Sequence, residues 1–138
     1  MVILIDTNVI LDHFIPRQPF ADIADEILNL CFQQKCNGYI ATHSVTNIFY
    51  ILRKQFSPSV RKKLLMELCE FIEVAGIQKK QVIDALGDEK FEDLEDRLQV
   101  ECARIIVADY IVTRNLADFS ASPVPAILPE DFLKKMVS

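Results

Sequence analysis

Glycine is scarce in this chain. There are three in 138 residues, Gly38, Gly76 and Gly87, each isolated from the others. That excludes a glycine-rich phosphate loop, and with six prolines it leaves little room for flexible linkers. The four cysteines, Cys31, Cys36, Cys69 and Cys102, contain no CxxC pair, and His13 and His43 stand far apart. A zinc framework is therefore not expected. Nor is a Ser-His-Asp or Cys-His nucleophile evident, because neither histidine has an obvious partner. Scattered thiols in a helix-rich pattern read as reduced core residues of a cytoplasmic protein. Long hydrophobic runs are missing too. Val2-Ile3-Leu4-Ile5 and Ile105-Ile106-Val107-Ala108 are far too short to span a bilayer, so no membrane association is expected. No cationic segment precedes Asp6, which argues against an ordinary secretory signal. Finally, there is no excess of positive charge. The formal net charge is −5, which argues against nucleic-acid binding by bulk attraction. It leaves room for a nucleic-acid enzyme, because a metal-dependent site is itself a cluster of carboxylates.

What is present is one domain's worth of polymer, residues 1–138, with 51% hydrophobic and 25% charged residues. Val2-Ile3-Leu4-Ile5 is continuous rather than alternating, as in a parallel strand covered on both faces. Asp6 or Thr7 can cap a short helix over Val9-Ile10-Leu11. An amphipathic helix is expected from Asp22 to about Gln34, ended by Asn37-Gly38. Tyr39-Ile40-Ala41-Thr42 reads as a strand. Thr42, His43 or Ser44 then caps a helix that ends near Phe56, and Ser57-Pro58-Ser59 starts the next. Glu73-Val74-Ala75 is a brief strand and Gln78 to Leu86 a helix. A long helix spans Glu92 to Val107, and Tyr110-Ile111-Val112-Thr113 and Ala126-Ile127-Leu128 are strands. Pro129 opens a last helix, Glu130 to Met136. Alternating strands and helices imply a parallel sheet with helices on both faces, a three-layer α/β/α arrangement.

In such sheets sites form beyond the carboxyl ends of strands. Three predicted strands end in polar clusters: Asp6-Thr7-Asn8, Thr42-His43-Ser44 leading to Asn47, and Thr113-Arg114-Asn115 leading to Asp118. A fourth cluster, Glu92-Asp93-Leu94-Glu95-Asp96, opens the long helix. All four are expected to converge on one edge of the sheet. Asp6 is either a helix cap or a ligand. Asp96 shares a helical stripe with apolar Val100, Ala103 and Val107, so its carboxylate points along a buried face, a costly arrangement unless a cation, Arg97, Arg104 or a backbone amide satisfies it. Asp93 reads as a capping charge, a ligand or a support for one, and Asp118 as an Asx-turn or a ligand. Eight acids against Lys90 and Arg97 lie between Asp84 and Glu101, and Glu92 and Glu95 are expected to be solvated. Carboxylates gathered this way suit Mg²⁺ or Mn²⁺ and phosphodiester hydrolysis. Basic residues at Arg53-Lys54 and Arg61-Lys62-Lys63 are either an ordinary charged surface or a ridge for an RNA backbone.

Four blocks in order are similar to the PIN domain, specifically bacterial PIN proteins of the VapC toxin type. They are Ile3-Leu4-Ile5-Asp6-Thr7-Asn8-Val9-Ile10-Leu11-Asp12, Ser44-Val45-Thr46-Asn47-Ile48-Phe49-Tyr50, Phe91-Glu92-Asp93-Leu94-Glu95-Asp96, and Asp109 to Phe119. The resemblance runs from residue 2 to about 128. It implies a sheet of about five parallel strands and a ribonuclease that binds Mg²⁺ or Mn²⁺ through three or four acids. It also implies an antitoxin protein partner and a homodimer, to which Phe49 and Tyr50 are candidate contributors. By position Asp6 matches the first acid, Asp96 the third, and the fourth falls on Asn115 or Asp118. Two amides depart from the pattern, Asn47 where many members carry Glu and Asn115 where many carry Asp. An amide ligates through its oxygen without contributing charge, so metal affinity and activity should fall. Asp6, Asp96 and Asp118 are thus the expected metal ligands, with Asn47, Asp93 and Asn115 completing the catalytic set. The alternatives are a PIN-like binding module for RNA or protein, and a haloacid-dehalogenase-type phosphatase. The latter wants a second Asp where this chain has Asn8.

Overall fold

Val2-Ile3-Leu4-Ile5 lies at the centre of the sheet, covered by side chains above and below. The structure is a computed structural model and describes residues 1–137. Its elements in chain order are β1 (Val2–Ile5), α1 (Thr7–Phe14), α2 (Phe20–Phe32), β2 (Asn37–Ala41), α3 (Thr42–Ile51), α4 (Pro58–Leu68), β3 (Glu73–Ala75), α5 (Lys79–Leu86), α6 (Leu94–Ile105), β4 (Tyr110–Val112), β5 (Ala126–Ile127) and α7 (Pro129–Val137). The five strands are parallel in the order β3-β2-β1-β4-β5. The chain steps outward from β1 to β3, then returns to the other side of β1 for β4 and β5. The order therefore reverses between β1 and β4, and a crevice opens beyond their carboxyl ends.

Strand pleating divides the core. Ile3 and Ile5 face one side, where Ile10 of α1, Ile27 of α2, Ile48 of α3, Leu68 of α4 and Phe132 of α7 pack on them. Leu4 and Ile111 face the other, against Val100 and Ala103 of α6. Both faces of β1 are dry, which is why its sequence does not alternate. The expected α/β/α layering is borne out. Among the described residues no helix is long and apolar enough to cross a membrane.

Several boundaries differ from the sequence expectation for identifiable reasons. Asn37-Gly38 opens β2 rather than closing α2. A Cβ on Gly38 would meet Cys31 Sγ at 2.6 Å, so glycine is there for close helix–strand packing, not for a turn. The turns that do end α2 and α6 use non-glycine residues with positive φ, Gln34 (60°) and Val107 (53°). At α6 the amide of Ala108 bonds to Ala103 O and that of Val107 to Arg104 O, at 2.9 and 3.1 Å, the hydrogen-bond pair of a Schellman ending. With no glycine to mark the stop, the apolar pattern reads as a helix to Val107. Val107 is instead 80% exposed and leaves the stripe shared by Asp96, Val100 and Ala103. At the other end, Glu92 and Asp93 precede the helix.

A β-branched residue in this left-handed position is strained. Val107→Gly should therefore raise unfolding free energy by about 1 kcal/mol after the entropy cost of glycine, measured by urea denaturation. A loss of stability would show that the turn is unstrained.

Candidate functional site

Asp6 still belongs to the sheet, because its amide donates to Val112 O at 2.9 Å. It occupies the N-cap position of α1 but its side chain makes no capping bond. Both carboxylate oxygens are instead held from across the fold: Oδ1 accepts from Gln99 Nε2 of α6 at 2.9 Å, and Oδ2 from Thr113 Oγ1 beyond β4 at 2.8 Å. Asp6 is 4% exposed. The Thr113 hydroxyl also accepts from the Asn115 amide at 3.0 Å, so one hydrogen-bonded run sets both Asp6 and Asn115. Thr7 donates to buried Ser44 of α3 at 2.8 Å, which ties the start of α1 to α3 and its Asn47. Thr42, a candidate cap for α3, donates to Ala75 O of β3 instead.

Asp93 caps α6, accepting from the amides of Glu95 (2.8 Å) and Asp96 (3.3 Å). Its negative charge there also complements the helix dipole. Asp96 lies one turn into the helix and is half-buried. Burial, then the charges of Asp93, Asp6, Asp118 and Glu95, push its carboxyl up to about 7. The arginines that the sequence offered as partners are committed elsewhere. Arg97 donates to Asp88 and Glu101, both at 2.7 Å, and Arg104 pairs with Glu101. Asp118 sits exposed in a single 3-10 turn, Leu116–Phe119.

These groups line one cleft of about 300 Å³: Asp6, Asp93, Asp96, Asp118, Asn47 and Asn115, with Asn8, Gln99 and Tyr50 beside them and no Lys or Arg. A second cleft of about 440 Å³ shares Asp93, Asp96 and Asp118 and continues past Phe91 and Lys90. All six side chains expected from sequence thus reach the same place. Thr7 and Ser44 belong to the polar clusters expected at this edge, whereas Gln99 was not anticipated. Gln99 follows Asp96 by three residues, and a second polar side chain so close to a buried stripe was the signal that could have found it.

Other expected contributors lie elsewhere. Arg114 turns back to buried Asp12, donating through Nε at 2.8 Å, and stacks on Phe20. In the basic segment Arg61 is buried, donating to Phe49 O at 2.7 Å with its guanidinium over that ring, while Lys54, Lys62 and Lys63 stay exposed. Phe49 is accordingly half-buried against the core rather than an open apolar surface, whereas Tyr50 is exposed. His13 pairs with Asp25 at 2.6 Å, and His43 lies 3.2 Å from Glu95 O.

Among the described residues no three His, Cys, Asp or Glu side chains are grouped closely enough to enclose a metal ion. What the cleft offers is a set of oxygen donors, the donor type that hard cations such as Mg²⁺ or Mn²⁺ take while keeping several waters. Asp96 lies in the field of four other acids with no cation beside it. The residues present therefore fit a hydrated hard cation.

The PIN domain family model matches residues 2–117. Ribonuclease VapC1 of Aquifex aeolicus (strain VF5) is 25% identical over 140 residues, covering 96% of this chain and 94% of that protein. Three solved structures share the fold. VapBC2 from Rickettsia felis bound to a DNA fragment from their promoter has a TM-score of 0.69 and 15% identity over 93% of this chain and 98% of that one. A toxin–antitoxin complex from Klebsiella pneumoniae has a TM-score of 0.67 and 19% identity over 91% and 96%. FitAB bound to an IR36 DNA fragment has a TM-score of 0.65 and 16% identity over 92% and 94%. The match runs from β1 to residue 117, one residue short of Asp118, and so takes in Asp6, Asp93 and Asp96 at the sheet reversal; this chain belongs to the PIN domain family.

Proposed function

We propose that this chain is a divalent-metal-dependent ribonuclease and the toxin component of a toxin–antitoxin pair. The observation that carries the reading is the gathering of Asp6, Asp93, Asp96 and Asp118 with Asn47 and Asn115 in one cleft at the reversal of strand order. The near-full-length likeness to a protein named as a ribonuclease supports the substrate class.

Asp6, Asp96 and Asp118 would hold hydrated Mg²⁺ or Mn²⁺, in part through the waters that such ions keep, and the ion, when bound, would neutralise the phosphate and activate water. Thr113 and Gln99 hold the Asp6 carboxylate. Asn47 and Asn115 present amides that orient ligands or water without adding charge, and Asp93 keeps the start of α6, and so Asp96, in place. In the hydrolysis a water oxygen bonds to phosphorus and the bond to the 3′ oxygen breaks, leaving a 5′-phosphate and a 3′-hydroxyl. Exposed Lys54, Lys62 and Lys63 are available to the RNA backbone. An antitoxin protein is the expected partner, since one solved structure that shares this fold is a toxin–antitoxin complex. A second copy of the chain belongs to the same reading.

The test is cleavage of single-stranded RNA by chelator-treated full-length protein, with and without added Mn²⁺. Cleavage should appear only with the metal and fall sharply in Asp96→Asn. Cleavage equal in chelator overturns the metal dependence. Specific RNA binding without cleavage under either condition favours the binding module to which Asn47 and Asn115 point.

A further inference from the structure

Gln99 is 2% exposed and lines the acidic cleft, yet only one end of its amide is satisfied. Nε2 donates to Asp6 Oδ1 at 2.9 Å, while Oε1 is buried without a hydrogen-bond partner. Turning the amide over is no remedy, because Oε1 would then face a carboxylate oxygen. A buried acceptor left unpaired lowers stability, so burial of Oε1 gives no reason for an amide at this position; the donor it presents to the buried Asp6 carboxylate does. Methionine keeps the unbranched shape of the side chain and takes that donor away.

We infer that Gln99 is a positioning residue that fixes the Asp6 carboxylate, and thereby its placement relative to Asp96. The bond spans 93 residues of sequence and connects the end of β1 to α6, the helix that also carries Asp96. Thr113 holds the other Asp6 oxygen from the end of β4. With one donor on each oxygen the carboxylate cannot turn, and each oxygen keeps a second lone pair for a cation. Supporting groups of this kind typically set metal affinity by orienting the ligand they touch. The inference rests on the reading of the cleft as a cation site.

Three full-length proteins test it: wild type, Gln99→Met and Gln99→Leu. Thermal unfolding is followed in chelator and in Mn²⁺, and Mn²⁺ affinity is measured by calorimetric titration. Both variants leave the buried Asp6 Oδ1 without its donor and should unfold in chelator below the wild-type Tm. Their Mn²⁺ affinity should be about ten- to a hundredfold weaker, with a correspondingly smaller rise in Tm on adding the metal. An unchanged Mn²⁺ affinity in both variants, titrated well below their Tm, assigns Gln99 to stability alone and overturns the inference. Absence of Mn²⁺ binding by the wild type overturns the cation reading itself and takes this inference with it.

Discussion

Asp6→Asn is expected to lower Mn²⁺-dependent RNA cleavage by at least about a hundredfold, more than the loss of a group that merely supports a ligand, while the fold stays intact. The substitution preserves the shape and both hydrogen bonds of the buried side chain. The asparagine oxygen can accept from Gln99 Nε2, and its amide nitrogen can donate to Thr113 Oγ1, which has lone pairs for it and for the Asn115 amide. What disappears is one negative charge from a cleft already carrying amides at Asn47 and Asn115. A cation held by few charged ligands loses most when one of them is neutralised. Single-turnover cleavage in Mn²⁺, with circular dichroism and Tm as the check on folding, measures the effect. Wild-type cleavage by a folded Asp6→Asn protein would exclude Asp6 as a ligand.

The second large effect is on stability, and its sign depends on pH. In the folded chain the Asp96 carboxyl is raised from 3.8 to about 7, first by burial and then by Asp93, Asp6, Asp118 and Glu95. The folded value lies above the unfolded one, so the folded state binds the proton more tightly. The corresponding stability is fully present below about pH 4 and is lost as pH rises through 7. Asp96→Asn removes an ionised carboxylate that the metal-free fold accommodates poorly. Fully buried, such a shift would correspond to about 4 kcal/mol. Asp96 is only half-buried, and solvent screening reduces the expected gain to about 1–2 kcal/mol. Without metal, Asp96→Asn should therefore have the higher Tm at pH 8, by about 3–6 °C, and match wild type at pH 4. A lower Tm at pH 8 would show that the ionised carboxylate has a stabilising partner. Saturating Mn²⁺ should stabilise the wild type and narrow the gap. Asp96→Asn thus separates the two roles of one side chain, because the change that raises metal-free stability should abolish cleavage.

Much of the fold was legible in the chain because its signals are local. The continuous run at Val2–Ile5 announced a strand covered on both faces, and both faces are covered. Ser57-Pro58 announced the start of α4, and Ser57 Oγ accepts from the Val60 amide. Helix ends were less legible. Gln34 and Val107 take a left-handed backbone that glycine usually marks, while Gly38 serves packing within a strand. The resemblance of the four blocks to the PIN domain is borne out by the family match.

For the cleft, sequence alone determined which polar residues follow each strand and which face of α6 carries Asp96, because strand ends and helical spacing are short-range properties. Tertiary structure alone decided the partners. Asp6 is held by Gln99 and Thr113, at separations of 93 and 107 residues. Arg97 goes to Asp88 and Glu101 and leaves Asp96 without a cation. Arg114 and Arg61 fold back onto Asp12 and Phe49. Periodicity specifies the direction in which a side chain leaves the backbone. Which group it meets depends on closing long loops around the sheet, and no local pattern encodes that closure.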